Sequence, residues 1–295
     1  MGVGVKEQQA YARVVEKLLA SQLQGEKIET INAGINATGP FHQFTFLKHE
    51  GLQLNPDIVV IGFFPWNDIS YDVYASEKVL TRDGEGFPDT VDSRTIYVDV
   101  DGSMRSKKLP LRFKIPFLRD LHSYWVIVNA LSPFRDQENK DFAVTSSTCL
   151  YNTACTSLNE SENKLKKLFL SLRKLSKQND FKLLVLIILT EFQVDPVTFV
   201  KYELPGPVLR SNSSLPHDEF AAFFEKNQIE YLDLLPHFLN EATEQAYFDK
   251  DPHWNAYGHQ LAAKAIEQNL LTTFLQEQSV TASPSINPAP QKTGE

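Results

Sequence analysis

The chain has 295 residues, 42% of them hydrophobic and 22% charged, which is enough for one large α/β domain or two small ones with a well-buried core. A formal net charge of -8 and a pI near 5.5 argue against a polyanion-binding surface, because affinity for a phosphate backbone comes from clustered Lys and Arg. Nucleic acid is therefore not an expected partner. Two cysteines, Cys149 and Cys155, supply neither a disulfide framework nor a Cys-x-x-Cys metal site. We read them as two free thiols, with a small surface disulfide loop as the alternative. The start, Met1-Gly2-Val3-Gly4-Val5-Lys6, has no basic segment followed by an apolar one, and no apolar run reaches membrane-spanning length. Membrane association stays open, because a signal or anchor would lie upstream if the true start does.

From Glu7, the residues Tyr11, Val14, Val15, Leu18 and Leu19 recur at helical spacing and predict an amphipathic helix with Arg13, Glu16 and Lys17 outside the stripe. Ile28–Asn32 reads as a short strand. Gly34 and Gly39-Pro40 break the chain before a helix carrying Phe41, Phe44 and Leu47, which Gly51 and Asn55-Pro56 terminate. The run 58–63 is continuously apolar and β-branched, as a strand covered by helices on both faces must be. Leu183–Leu189 is a second such run, behind a helix whose Leu165, Leu168, Phe169, Leu172 and Leu175 share a face. Ile229–Leu232 is a shorter candidate after the helix around Phe220, Phe223 and Phe224. Strands alternating with helices imply parallel βαβ units and a doubly wound sheet.

Between Ile69 and about Ser161 the alternation lapses. Thr95–Val100 with the Asp101-Gly102 turn suggests a hairpin, and Ile115–Leu131 a helix. We read this stretch, about 69–161, as an insertion over the carboxyl edge of the sheet. The domain proper spans 1–278, and Pro, Ser, Thr and Asn dominate a tail, 279–295, expected to be disordered.

Three segments fall where an open α/β sheet presents a site. They are Asn32-Ala33-Gly34, Trp66-Asn67-Asp68 and Asp251-Pro252-His253-Trp254-Asn255. A carboxylate that holds an imidazole in one tautomer, and donors that meet charge developing on a carbonyl oxygen, are the groups acyl chemistry needs.

In their order, and in the strands ahead of them, these blocks resemble the SGNH (GDSL-type) hydrolase family from about Gly2 to Leu271. The resemblance implies a three-layer α/β/α, flavodoxin-like parallel sheet. It also implies His253 as general base, Asp251 as its orienting carboxylate, and Gly34 and Asn67 as oxyanion-hole donors. The spacing Asp251-x-His253, with Trp254-Asn255 and Gly258-His259 following, looks closer to the branch that includes polysaccharide O-acetyltransferases, and it keeps Asp249 as a second candidate for the carboxylate. Members of the family open with a strand leading into Gly-Asp-Ser-x-Thr and then a Gly-x-Gly-Val turn. Gly2-Val3-Gly4-Val5 resembles that turn alone, so the first strand and the nucleophile are expected upstream of Met1, and no serine in this chain matches.

The implied chemistry is attack of that serine on an acyl ester, small or carbohydrate-borne, resolved by water or by a sugar hydroxyl, with no cofactor. The competing class is a truncated SGNH domain without catalysis. Asp251, His253 and His259 are usable metal ligand types, but the resemblance implies no metal. His259 reads as a helix-packing residue, Trp66 and Trp254 as packing or as pocket lining, and His42, His49, His122, His217 and His237 as structural.

Overall fold

The computed structural model describes residues 2, 4–35, 38–69, 149–151, 158–195, 198, 214–242, 244–249 and 251–272, with the backbone of four short strands between 81 and 106. In chain order its elements are α1 (Tyr11–Gln22), α2 (Pro40–His49), β1 (Ile58–Phe63), the single turn α3 (Pro65–Asn67), β2 (Thr81–Arg82), β3 (Pro88–Thr90), β4 (Ile96–Val98) and β5 (Met104–Ser106). There follow α4 (Asn159–Gln178), β6 (Lys182–Ile187), the short α5 (Glu191–Val194), α6 (Leu215–Lys226), β7 (Tyr231–Asp233), α7 (Leu235–Glu241), β8 (Tyr247–Phe248), β9 (Asp251–Trp254) and α8 (Ala256–Leu270).

The main sheet has the order β1-β6-β7 with both pairings parallel. Its central strand shows why the fold has three layers. Along β6, Leu183, Val185 and Ile187 face one cluster, with Phe41, Phe44, Leu165, Leu168, Phe169, Phe220 and Phe224 from α2, α4 and α6. Leu184 and Leu186 face the opposite cluster, with Val15, Leu19, Phe238, Leu261 and Ile266 from α1, α7 and α8. A strand must be apolar at every position to serve two cores at once, which is why 183–187 lacks the alternation of a half-exposed strand. The expected α/β/α architecture is thus the observed one.

Ile28–Asn32 forms no strand, which corrects the expectation. Thr30 spends both of its backbone groups on α1: its N–H donates to Glu16 Oε2 at 2.7 Å, and its carbonyl accepts from Arg13 Nη1 at 2.9 Å. The outer edge of β1 is also open to the extent that no strand pairs it among the described residues. On its inner edge, Asp57 and Phe63 carbonyls accept from Lys182 and Ile188 N–H at 2.9 and 2.8 Å. Alternation then turns the backbone groups of Ile58, Val60 and Gly62 outward. One of these, the Gly62 carbonyl, is met by the Gln43 side-chain amide at 2.8 Å.

Within the expected insertion, β4 and β5 pair antiparallel with Val98 opposite Met104, which is the anticipated hairpin. The helix expected at 115–131 and the tail from 279 lie outside the described residues. Cys149 is disulfide-bonded and the chain has one other cysteine, Cys155, so the free-thiol reading is corrected. Nor is this a surface feature on the Cys149 side. Cys149, Leu150 and Tyr151 are 7%, 5% and 1% exposed and belong to the first core cluster. The Thr- and Ser-rich flanks masked that burial. Among the described residues no helix is long and apolar enough to cross a membrane.

Candidate active site

The site is built on a distorted hairpin. β8 and β9 run antiparallel with Tyr247 opposite Trp254 and Phe248 opposite Asp251. Two adjacent residues on one strand therefore span four on the other, and Pro252 and His253 bulge out of the ladder. Such bulges aim side chains away from the regular pleat. Pro252 and His253 are accordingly exposed while Trp254 is buried.

The bulge folds His253 back on Asp251. The His253 backbone N–H donates to Asp251 Oδ1 at 2.9 Å, and the ring Nδ1 meets the same oxygen. With a carboxylate on Nδ1, that nitrogen holds the proton and Nε2 presents its lone pair outward. The two side chains are about half exposed, 49% and 50%, so an incoming group can reach Nε2. Asp251 is the carboxylate that meets the ring; Asp249 stands exposed in the intervening turn.

Asn255 anchors the end of the bulge. Its Oδ1 caps α8 by accepting the N–H groups of Tyr257 and Gly258 at 2.9 and 3.1 Å. Its amide donates back to the carbonyls of Gln245 and Tyr247 at 2.7 and 3.1 Å. Helix and hairpin therefore share one side chain. They also touch at Gly258, where a Cβ would lie 2.3 Å from the Ala246 carbonyl oxygen.

The chain's first turn leans on the same hairpin. Gly4 has φ +78, and a Cβ on it would sit 2.7 Å from Phe248 Cε2. Both the left-handed backbone and the close ring demand glycine here. The segment that enters α1 is thus seated beside the strands that carry Asp251 and His253.

Asn67 ends α3, just past the carboxyl end of β1. Its turn is closed by Asp68, whose Oδ2 accepts the Phe64 N–H at 2.6 Å while the N–H groups of Asn67 and Asp68 return to the Phe64 carbonyl at 3.2 and 3.0 Å. Trp66, the residue before, packs on Phe192 at 4.9 Å between centroids and on Tyr151 at 6.1 Å. Asn67 Oδ1 is buried and has no hydrogen-bond partner among the described residues. A buried orphan of this kind costs about 1–3 kcal/mol. The asparagine is held through its backbone and its surroundings, with its side-chain oxygen left over.

Gly34 is exposed, and its N–H donates to Asn32 Oδ1 at 3.2 Å. To serve an oxyanion it must exchange that acceptor. His259 lies deeper: it is 4% exposed and accepts the Tyr11 N–H at Nδ1. Among the described residues no group of three or more His, Cys, Asp or Glu could hold a metal ion. His253 bonds Asp251 alone among them, and no serine hydroxyl meets it.

Two supporting residues escaped the sequence reading. Asp68 was legible only as the neighbour of Asn67, and the capping role of Asn255 was signalled by its place directly before the apolar helical run, where N-caps fall.

A parallel three-stranded sheet covered by helices on both faces is an α/β fold, and beside it the β8–β9 hairpin seats a histidine on an aspartate. The family model for the SGNH hydrolase-like domain of acetyltransferase AlgX matches residues 158–292, a stretch that holds β6, β7, the β8–β9 hairpin and α8. That stretch is similar to the SGNH hydrolase-like domain and is a little under half of the chain. No curated protein and no solved structure matches the chain.

Proposed function

We propose that the protein acts on an acyl ester through an acyl-enzyme, with His253 as general base, Asp251 as the carboxylate that orients it, and a serine supplied from sequence ahead of Met1. The observation that carries this reading is the hairpin itself: His253 bulges into reach with Nδ1 committed to Asp251, and the Gly4 turn is packed against Phe248 of the same hairpin. The outward-facing backbone of Ile58 and Val60 leaves room for a further strand beside β1, which is where such a serine would be delivered.

In that arrangement His253 Nε2 takes the serine proton as Oγ bonds to the ester carbonyl carbon. The Gly34 N–H and the Asn67 side-chain amide are the donors available for the oxyanion. His253 then returns the proton to the departing alcohol. Water or a sugar hydroxyl, deprotonated by the same imidazole, releases the acyl group.

The match to an acetyltransferase domain favours an acetyl group as cargo; a sugar hydroxyl as acceptor rests on the resemblance of the Asp251-x-His253 spacing to polysaccharide O-acetyltransferases. Hydrolysis uses every one of the same residues. The disulfide at Cys149 fits an oxidising, extracytoplasmic compartment.

The test begins with the N-terminal peptide of the native protein, read by mass spectrometry, and an ester assay run with and without an oligosaccharide acceptor. A Gly-Asp-Ser-x-Thr block upstream, with turnover abolished by His253→Ala, supports the proposal, and product appearing on the sugar identifies transfer. A native protein that starts at Met1 and turns over no ester overturns it in favour of a non-catalytic SGNH domain.

A further inference from the structure

α1 begins without a side-chain cap, since Ala10 occupies the N-cap position and offers no acceptor. An acceptor arrives instead from α8. The Tyr11 N–H donates to His259 Nδ1 at 3.3 Å, and the Tyr11 ring stacks on the imidazole with centroids 6.0 Å apart and planes 16° from parallel. Trp254, the residue after His253, meets the same imidazole edge-on at 5.7 Å and 90° and Tyr11 at 6.4 Å. One buried imidazole therefore joins the start of α1 to the end of the His253 bulge.

An Nδ1 that accepts a hydrogen bond carries no proton, so the ring is the neutral Nε2–H tautomer. Burial, the largest cause, lowers its pKa to about 4. The acceptor therefore persists through the neutral range.

We propose that His259 is a positioning residue of the acyl-transfer site: as a neutral acceptor for the Tyr11 N–H, it fixes the segment entering α1 against the loop that carries His253. This rests on the function proposed above, in which the nucleophile comes from the chain ahead of α1. Packing alone would require a ring of this size at position 259. Positioning requires the acceptor atom as well, and the two requirements separate by substitution.

His259→Phe keeps the ring and removes the acceptor, whereas His259→Asn places an amide oxygen where Nδ1 lies and removes the ring. In the native full-length protein, His259→Phe is expected to lower kcat for an acetyl ester by about 10- to 100-fold, with KM nearly unchanged. It should also speed hydrogen exchange at the Tyr11 amide. His259→Asn should restore most of both. Wild-type kcat and Tyr11 exchange in His259→Phe overturn the inference, as does an asparagine variant no better than the phenylalanine one. Should His259→Phe not fold, nitrogen NMR of the wild-type imidazole decides, because a protonated Nδ1 at neutral pH excludes the hydrogen bond. Turnover that survives His253→Ala sinks the reading of the site itself; turnover that needs His253 but ignores position 259 sinks only the inference.

Discussion

A single carboxylate oxygen of Asp251 holds both the backbone N–H and the ring Nδ1 of His253. Because Asp251 and His253 stand two residues apart, this geometry needs the two-residue bulge opposite Tyr247 and Phe248, where a regular strand would point both side chains to one face but hold them apart. The pair is thus a property of the hairpin's irregular register.

Replacing Asp251 with Asn separates the roles of charge and shape. Asparagine can still accept the His253 backbone N–H, but its neutral amide neither stabilises an imidazolium nor enforces protonation at Nδ1. Ester turnover by the native protein is expected to fall by roughly 10³- to 10⁴-fold, while thermal stability stays within about 0.5 kcal/mol, because both side chains are half exposed. Full activity in Asp251→Asn, with activity lost in Asp249→Asn, would move the orienting role to Asp249.

Glu16 is the fastening of the 27–35 segment. Its Oε2 accepts from the Thr30 N–H at 2.7 Å, Thr30 Oγ1 at 2.8 Å and Arg13 Nη1 at 3.1 Å. The Thr30 backbone bond, ahead of the other contacts, holds its carboxyl below the usual range. A depressed carboxylate contributes stability above its unfolded pKa and loses it as the pH falls through the folded value. Glu16→Ala is therefore expected to cost about 1–2 kcal/mol at pH 7, with the gap to wild type closing below about pH 4. Urea titrations at two pH values check this; a gap independent of pH would assign the effect to packing.

The same segment shows what the sequence could and could not convey. Ile28–Asn32 has strand composition, but pairing depends on a neighbour, and here Thr30 turns to α1 for its hydrogen bonds. β1 and β6 were legible because burial on both faces leaves an unbroken apolar run that few other structures tolerate. The Asp251-x-His253 spacing was legible as chemistry, yet the bulge that makes it work was not, since register is set by pairing across the hairpin. Cys149 misled for a related reason: the Thr- and Ser-rich residues around it in sequence suggested a surface loop, whereas it belongs to a buried cluster with sequence-distant residues such as Phe63 and Phe192.

Gly258 sets two physical effects against each other. It lies in the first turn of α8, where alanine is favoured over glycine by up to about 1 kcal/mol. A Cβ there would stand 2.3 Å from the Ala246 backbone oxygen and 2.9 Å from Trp254 Cβ, and backbone cannot swing aside. The clash should dominate. Gly258→Ala is expected to destabilise by about 2–3 kcal/mol, read as a lower urea midpoint, and to loosen the hairpin that holds His253. A stabilised variant would show that α8 and β8 can part without cost.

Glu162 offers the opposite case, a charge the fold tolerates at a loss. It sits in the first turn of α4 with its side chain 16% exposed, and Lys166 Nζ is 3.9 Å away. Burial first, and then the charge of Glu219, raise its carboxyl above the ordinary range, with Lys166 only partly offsetting them. A raised carboxylate pKa penalises the ionised form, so the cost is absent in acid and present in full once the pH exceeds the folded value. Glu162→Gln is expected to stabilise the protein by roughly 0.5 kcal/mol at pH 7 and to lose that advantage near pH 4, where the wild-type carboxyl is itself protonated. Thermal melts of the two proteins at both pH values measure it. Destabilisation at neutral pH would mean that the Lys166 contact, or the attraction of the helix N-terminus for an anion, outweighs burial and the repulsion from Glu219.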